Sequence, residues 1–359
     1  MLSLSNSAYG QENPEALRVG VIGLTHTHVH WIFGSEPRGD IEIVGIVEPN
    51  RELAQRYAEQ HRFSMDLVYA SMEEMLDEVK PEAVTAFGTI YEHLEVVEAA
   101  APRGIHVMVE KPLAVSMDHA KKMQDLAETH NIHLLTNYET TWYPTTHKAY
   151  ELVKEQNKIG EIRKIMVHSG HKGPKKIGIN EEFLEWLTDP IQNGGGADVD
   201  FGCYGVNILT WFMDGERPNS VTAIAQQLQP ENNPRVMDES IILLQYDDAV
   251  AVIQGSWNWP IGRKDMEIYG VDGVVHADNR HDLRIRISEG YDGYQEEAMK
   301  LEEREAPLDD PFALLAAVIR DEIQLDDYDL NSLENNILVV EILEAAKRSA
   351  ELNKTIEFD

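Results

Sequence analysis

From Leu17 to Glu139, apolar runs and amphipathic stretches alternate at short intervals, and this alternation limits the possible folds more than any other feature of the chain. "LRVGVIG" reads as a buried strand, "IEIVGIVEP" (41–49) as a second, "AVTAFGT" (83–89) as a third, and "IHVMVEKPL" and "IHLLTNYE" as two more. Between them lie "NRELAQRYAEQH", with Asn50 placed to cap a helix, "EHLEVVEAAAPRG", which ends at Gly104, and "MDHAKKMQDLAETHN". Strands that are apolar along their whole length cannot leave a face in water, so both faces must be covered. Joined through helices long enough for a crossover, they predict a parallel sheet between helix layers.

Beyond Pro144 the pattern changes. "EIRKIMVHSGH", "SVTAIAQQLQ", "ESIILLQY", "AVAVIQGSWNW", "DMEIYGVDGVVHAD" and "LRIRIS" are strand-like, and several alternate with period two, as a half-exposed antiparallel sheet does. A closing helix, "NSLENNILVVEILEAAKRSAELN", has Asn331 or Ser332 as its cap. The expected architecture is α/β. A parallel-sheet domain spans 16–140, and an α+β domain with a large open, mostly antiparallel sheet spans 141–359. Residues 1–15 read as a flexible tail or the remnant of an export signal. If the chain as given is complete, its expected place is the cytoplasm; a signal ending near Gly10, where "AYG" has a small-x-small look, implies the periplasm.

Charge and cysteine content narrow the function. Lys and Arg total 31 against 63 acidic residues, a formal net charge of -32. Such a surface repels nucleic acid and anionic membranes, which excludes both as partners. The acids are scattered, so they read as solubility or adaptation to salt. Cys203 is the only cysteine, which excludes internal disulfides and a cysteine-built metal cage. No apolar run approaches the ~20 residues of a membrane span.

"GLTHTHVHW" (23–31) follows the first strand, where a dinucleotide-binding chain keeps its phosphate loop. Gly23 supplies the tight turn, but Thr25 and His28 stand where glycine is usual. Glu48, at the end of the second strand, can accept from a ribose and repel a 2′-phosphate, which predicts NAD rather than NADP; the alternative is that it merely ends a surface strand. On a helix, His26 and His30 would share a face at i and i+4 with His28 turned away. Such a pair could ligate a metal with Glu110, His93 or His168 as the third ligand. The other reading, in which the histidines fill the loop and bond phosphate oxygens, is carried forward, with no metal expected. Glu110-Lys111-Pro112 ends a buried strand, where ligands of parallel sheets bind and a lysine can meet both nicotinamide and substrate.

The segments "VGVIGL", "IVEPN", "EHLEVVEAA", "GIHVMVEKPL", "KIGEIRKI" and "GGGADVDFGCYGVNIL" occur in that order over nearly the whole chain. Together they resemble the Gfo/Idh/MocA (glucose-fructose oxidoreductase, inositol dehydrogenase) family. The resemblance implies an N-terminal Rossmann-like domain. It also implies an NAD-dependent oxidoreductase that moves a hydride to or from a sugar, sugar alcohol or sugar-derived substrate. Its implied cofactor contacts are Gly23, Thr25, His26, His28, Glu48, Thr89, His93, Glu110 and Lys111. Its implied catalytic set is Lys111, Asp200 and Tyr204, the tyrosine marking the DxGxY branch. The strand-rich half resembles the family's dimerising sheet, implying a homodimer or homotetramer.

Hydride transfer from an alcohol requires its hydroxyl proton to leave. Lys111 is expected to lower the Tyr204 hydroxyl from its ordinary ~10 to a usable value, with Asp200 holding the lysine in register. The plainer alternative is a half-buried tyrosine with a satisfied hydroxyl. Three aromatic and polar clusters suit a polyhydroxylated ligand: "TNYETTWYP", "HSGHKGP" and "SWNWPIGRKD". From them Tyr138, Trp142, His171, Trp257 and Arg263 are the expected substrate contacts; the clusters also hold Glu139, His168, Lys172, Trp259 and Lys264. Two other functions compete. One is an enzyme that retains NAD while cleaving or rearranging a glycoside. The other is a redox-silent, metal-dependent hydrolase or binding protein that uses the histidine-rich loop.

Overall fold

The Val- and Ile-rich runs form one parallel sheet, as their two-sided burial requires. The computed structural model describes residues 16–34 and 39–358, so the tail or signal reading of residues 1–15 lies outside it. Its first strands are β1 (Leu17–Ile22), β2 (Ile41–Val47), β3 (Val68–Tyr69), β4 (Ala83–Ala86), β5 (His106–Glu110) and β6 (Leu134–Asn137). They lie in the order β3-β2-β1-β4-β5-β6, all parallel. β3 is two residues long and carries no periodicity of its own. The connecting helices are α1 (Val29–Phe33), α2 (Arg51–His61), α3 (Met72–Val79), α4 (His93–Ala100) and α5 (Met117–His130). Asn50 caps α2 as expected, its side chain accepting from the Glu52 and Leu53 amides. Strand order reverses between β1 and β4, which opens a crevice at their carboxyl ends.

After α6 (Pro144–Tyr150) the chain builds a second sheet. Its strands are β7 (Ile162–Gly170), β8 (Ser220–Gln226), β9 (Glu239–Gln245), β10 (Val250–Ser256), β11 (Arg263–Gly270), β12 (Gly273–Ala277), β13 (Asp282–Glu289), β14 (Gly293–Lys300) and β15 (Ile356–Glu357). Among the described residues the order is β14-β13-β12-β11-β7-β10-β9-β8-β15, antiparallel except for β7 beside β10. Four helices, α7 (Pro174–Ile177), α8 (Glu181–Leu187), α9 (Ala197–Asp200) and α10 (Gly202–Phe212), follow β7. Two more, α11 (Pro311–Ile319) and α12 (Leu333–Leu352), come after β14. Helices α10 and α12 cover one face of the sheet. The other is open, and period-two alternation brings Ile224 (58%), Leu243 (45%) and Val250 (46%) to its surface. Ser332 caps α12 by accepting from the Asn335 amide.

The two halves interlock more than the sequence suggests. Phe312, Leu314, Leu315 and Val318 of α11 pack with Leu17, Val19 and Ile43, so residues far beyond 140 complete the core of the first sheet. No described helix is long and apolar enough to cross a membrane.

Candidate active site

The loop after β1 turns at the crevice. Gly23 has φ +80, and a Cβ there would stand 2.8 Å from the Gly88 nitrogen, so only glycine fits where the β1 and β4 ends approach. The Gly23 amide donates to Val47 O at 2.9 Å and the His26 amide to Phe87 O at 2.9 Å, pinning the loop on both sides. Glu48 is buried just past β2; its oxygens accept from the Leu24 amide (3.1 Å) and the Asn50 amide (2.8 Å). Burial raises its carboxyl above the ordinary value. A carboxylate has about four acceptor positions, so capacity remains for ribose hydroxyls. Turn, backbone approach and acid thus fit the adenosine half of a dinucleotide.

The three histidines part ways. His28 caps the start of α1, so His26 lies outside the helix and shares no face with His30; this corrects the i, i+4 pairing. His30 turns to His61, with Nδ1 and Nε2 2.8 Å apart. His28 does not turn away: its Nδ1 sits 2.9 Å from Glu110 Oε2, and its ring stacks on Trp31 at 3.8 Å. His26 is buried against Phe183 (4.6 Å) and Trp186 (5.7 Å), and its Nδ1 accepts the His28 amide hydrogen at 3.0 Å. The other oxygen of Glu110 accepts from Asn137 Nδ2 at 2.7 Å, and Trp142 Nε1 donates to Asn137 Oδ1 at 2.9 Å. Burial pulls the Glu110 carboxyl up, but the facing His28 and His26 and the hydrogen bonds outweigh it and hold it at about 2.

One residue on, Lys111 is 5% exposed. Its Nζ donates to Asp200 Oδ1 at 2.5 Å and to Asp200 O at 2.9 Å, while Asp200 Oδ2 accepts from Trp257 Nε1 at 2.9 Å. Burial opposes both charges, yet mutual attraction keeps the lysine raised and the aspartate lowered, so the pair stays ionised. Tyr204, four residues after Asp200, sets its ring centroid 5.1 Å from Lys111 Nζ and 4.5 Å from Lys264 Nζ. Lys264 pairs with Glu139. Glu139 also accepts from Tyr143 Oη at 2.5 Å, and despite burial Lys264 holds it at about 2. Burial, then Glu139, raise the Tyr204 hydroxyl well above an ordinary phenol. This overturns the expected lowering by Lys111, because burial disfavours the phenolate and the Glu139 carboxylate repels it. His171 meets Phe201 edge-on at 4.9 Å, and burial lowers its imidazole below the ordinary value.

The remaining expected contacts divide. Tyr138 is fully buried edge-on to Tyr204 at 5.7 Å, and its hydroxyl finds no partner among the described residues. Trp257 is fully buried and meets the site through its N–H rather than a ring face. Trp142 packs in the first core and orients Asn137, which corrects its reading as a substrate contact. Arg263 is corrected too. Strand alternation sets it and Asp265 opposite Lys264, and its guanidinium pairs with Asp265 and lies 5.4 Å over Trp259. The basic side chain of β11 that reaches Tyr204 is Lys264. Thr25 Oγ1 donates weakly to Phe87 O at 3.4 Å, and Thr89 Oγ1 to Gln192 Oε1 at 2.9 Å. Buried His93 donates through Nδ1 to Leu113 O at 3.1 Å, bracing the loop after Lys111, and burial lowers it to about 4.

Sequence reasoning missed Asn137, Phe183, Trp186 and Gln192. Only Asn137 had a signal, since it ends the strand that pairs with β5 and stands opposite Glu110. Phe183 and Trp186 reach the loop through the fold of the second half.

Two family models match the chain. Residues 17–138 match "Oxidoreductase family, NAD-binding Rossmann fold", and residues 146–276 match "GFO/IDH/MocA C-terminal domain". The chain is 28% identical over 243 residues to trans-1,2-dihydrobenzene-1,2-diol dehydrogenase of Xenopus tropicalis, covering 67% of this chain and 68% of that one. Among solved structures, an inositol dehydrogenase homolog from Azotobacter vinelandii complexed with NAD+ superposes with a TM-score of 0.81 at 17% identity, covering 96% of this chain and 98% of that one. GenD2 from gentamicin A biosynthesis, in complex with NAD, superposes with a TM-score of 0.76 at 22% identity over 98% of each chain. Two consecutive family domains and the fold they predict therefore place this chain in the Gfo/Idh/MocA family of NAD-binding oxidoreductases.

Proposed function

We propose that this oxidoreductase transfers a hydride between NAD and a ring hydroxyl of a sugar, sugar alcohol or other cyclic polyol. The observation that carries this is the buried Lys111–Asp200 pair at the carboxyl end of β5, beside Tyr204. Two relatives are named for a cyclic diol and for inositol. The polar groups around the pair (Glu139, Lys264, His171 and Tyr204) suit a ligand with several hydroxyls.

Bound NAD supplies the carbon that accepts or returns the hydride. Gly23 and Glu48 hold the adenosine half, and the carboxylate favours a free ribose over a 2′-phosphate. Thr25, His26, His28 and Thr89 line the loop toward the phosphates, while His93 and Glu110 brace the nicotinamide end. Lys111 has three N–H donors; Asp200 takes two, which leaves one for the substrate hydroxyl. Asp200, steadied by Trp257, keeps that ammonium charged and aimed. Tyr204, its proton secured by burial, donates it to the reacting oxygen during reduction and recovers it from the hydroxyl during oxidation, while His171, whose Nδ1 accepts the Gly173 amide hydrogen, offers its Nε2–H to a substrate hydroxyl. A second copy covering the open face of the large sheet would hide Ile224, Leu243 and Val250, giving a homodimer or homotetramer.

The test begins with nucleotide released from denatured, untagged protein, followed by a screen of sugars and polyols read by nicotinamide absorbance. We expect stoichiometric NAD, and turnover that falls by about 10²-fold or more in Lys111→Ala and Tyr204→Phe. Absence of nucleotide together with no NAD binding by titration would refute the proposal. One observation favours a variant in which NAD stays bound through turnover: Phe183 and Trp186 close over His26, and Gln192 and Glu182 tie that segment to Thr89 and Arg56. Release of reduced nucleotide during each turnover would count against retention.

A further inference from the structure

A dinucleotide loop needs neither of the histidines that this chain places at 26 and 28. Thr25 and His28 stand where glycines would ease the approach of phosphate, so the side chains that replace them invite another role. His26, His28 and Glu110 each offer one ligand atom, and these atoms lie within 4.8 Å of one another. We propose that His26, His28 and Glu110 form a three-ligand site for a divalent transition-metal ion of the zinc class. The proposal does not rest on hydride transfer, and the site would stand if no nucleotide bound.

The donor set suits such an ion: two imidazoles and one carboxylate, with a fourth position left open, is the pattern of reactive rather than structural zinc sites. Zinc–nitrogen and zinc–oxygen bonds of about 2.0–2.2 Å place the ligands of a tetrahedron roughly 3.4 Å apart, so closure of at most about 1.4 Å on the widest pair completes the site. One pair is already closer, since His28 Nδ1 and Glu110 Oε2 are 2.9 Å apart, and the ion takes the place of the proton they share.

The surroundings fix each donor. Asn137 occupies Glu110 Oε1 and is itself fixed by Trp142, leaving Oε2 to the ion. Trp31 stacks on the His28 ring, and Phe183 and Trp186 wall in His26. Outer contacts of this kind set ligand orientation in metal sites. His26 Nδ1 now accepts the His28 amide hydrogen. Ligation through Nε2 places the imidazole proton on Nδ1 and gives up that one bond. The ion would be held by Glu110, the residue that precedes Lys111, with its open position available to water or to an oxygen of a bound substrate.

The test uses the full, untagged chain, stripped with a chelator and titrated with Co2+, whose visible absorption reports tetrahedral geometry, then with Zn2+ in competition. We expect one Co2+ per chain with a tetrahedral-type spectrum, displaced by Zn2+, whether or not NAD is present. His28→Gln and Glu110→Gln should each weaken binding by about 100-fold or more, and Asn137→Ala by about ten-fold, with the circular dichroism spectrum unchanged. Should Glu110→Gln fail to fold, the partly exposed His28 and the outer Asn137 still decide. Absence of saturable Co2+ binding by the stripped wild type, or binding unaltered in the His28 and Asn137 variants, would overturn the proposal.

Discussion

Removing the charge of Lys111 while keeping its length, as Lys111→Met, isolates what the buried pair contributes. Lys111 Nζ and Asp200 Oδ1 are 2.5 Å apart, with side chains 6% and 8% exposed. At an effective dielectric of about 20 their attraction is roughly 7 kcal/mol, much of it cancelled by the cost of taking both ions from water. Breaking such a pair from one side leaves an uncompensated buried charge and costs about 3–5 kcal/mol. In Lys111→Met, the Asp200 carboxylate would keep, as a side-chain donor among the described residues, only the indole N–H of Trp257. The double variant Lys111→Met/Asp200→Leu removes both charges and should return to within about 1–2 kcal/mol of the wild type, because no ion remains to be solvated. Urea unfolding followed by circular dichroism at neutral pH measures the three proteins, with turnover measured in parallel. Stability should be lost in the single variant and largely regained in the double, while activity is lost in both. A single-variant cost below about 1 kcal/mol would show that the pair is not desolvated as described. A double variant no better than the single would refute the reasoning as well.

Three further outcomes follow from particular contacts. Gly23→Ala places a Cβ at φ +80 and 2.8 Å from the Gly88 nitrogen, so it should cost about 2 kcal/mol or more and weaken NAD binding at least ten-fold; a neutral effect in thermal unfolding and nucleotide titration would contradict the described turn. The Glu139 carboxyl is held at about 2, below the ordinary 4.5, so its contribution is complete above pH 4.5 and disappears as pH falls toward 2. Its size is about 3 kcal/mol, and the stability gap between wild type and Lys264→Met should therefore narrow across that interval in acid titrations; a pH-independent gap refutes the pairing. Glu48→Gln replaces an acceptor by a donor that opposes the Leu24 or Asn50 amide, and it removes the charge that repels a 2′-phosphate. The preference for NAD over NADP should drop by about ten-fold or more in paired titrations, and an unchanged ratio would show that selectivity lies elsewhere.

Much of this molecule is written locally. The fully apolar strands, the helix starts at Asn50 and Ser332, and the switch to period-two alternation after Pro144 report burial and capping, which act over a few residues. They determined the parallel sheet, the open sheet, and the positions of Gly23, Glu48 and Lys111 at strand ends. Tertiary structure decided which of these side chains meet. His28 and Glu110 are 82 residues apart in sequence, and Lys264 rather than Arg263 faces Tyr204 because of register on one strand. Trp142 and Trp257 are polar handles in a core rather than ring faces. The direction of the Tyr204 shift was equally out of reach, because it depends on how deeply the ring is buried and on Asp200 and Glu139 from distant segments. Local pattern records which face of an element is dry; desolvation and charge pairing depend on what the rest of the chain brings against that face.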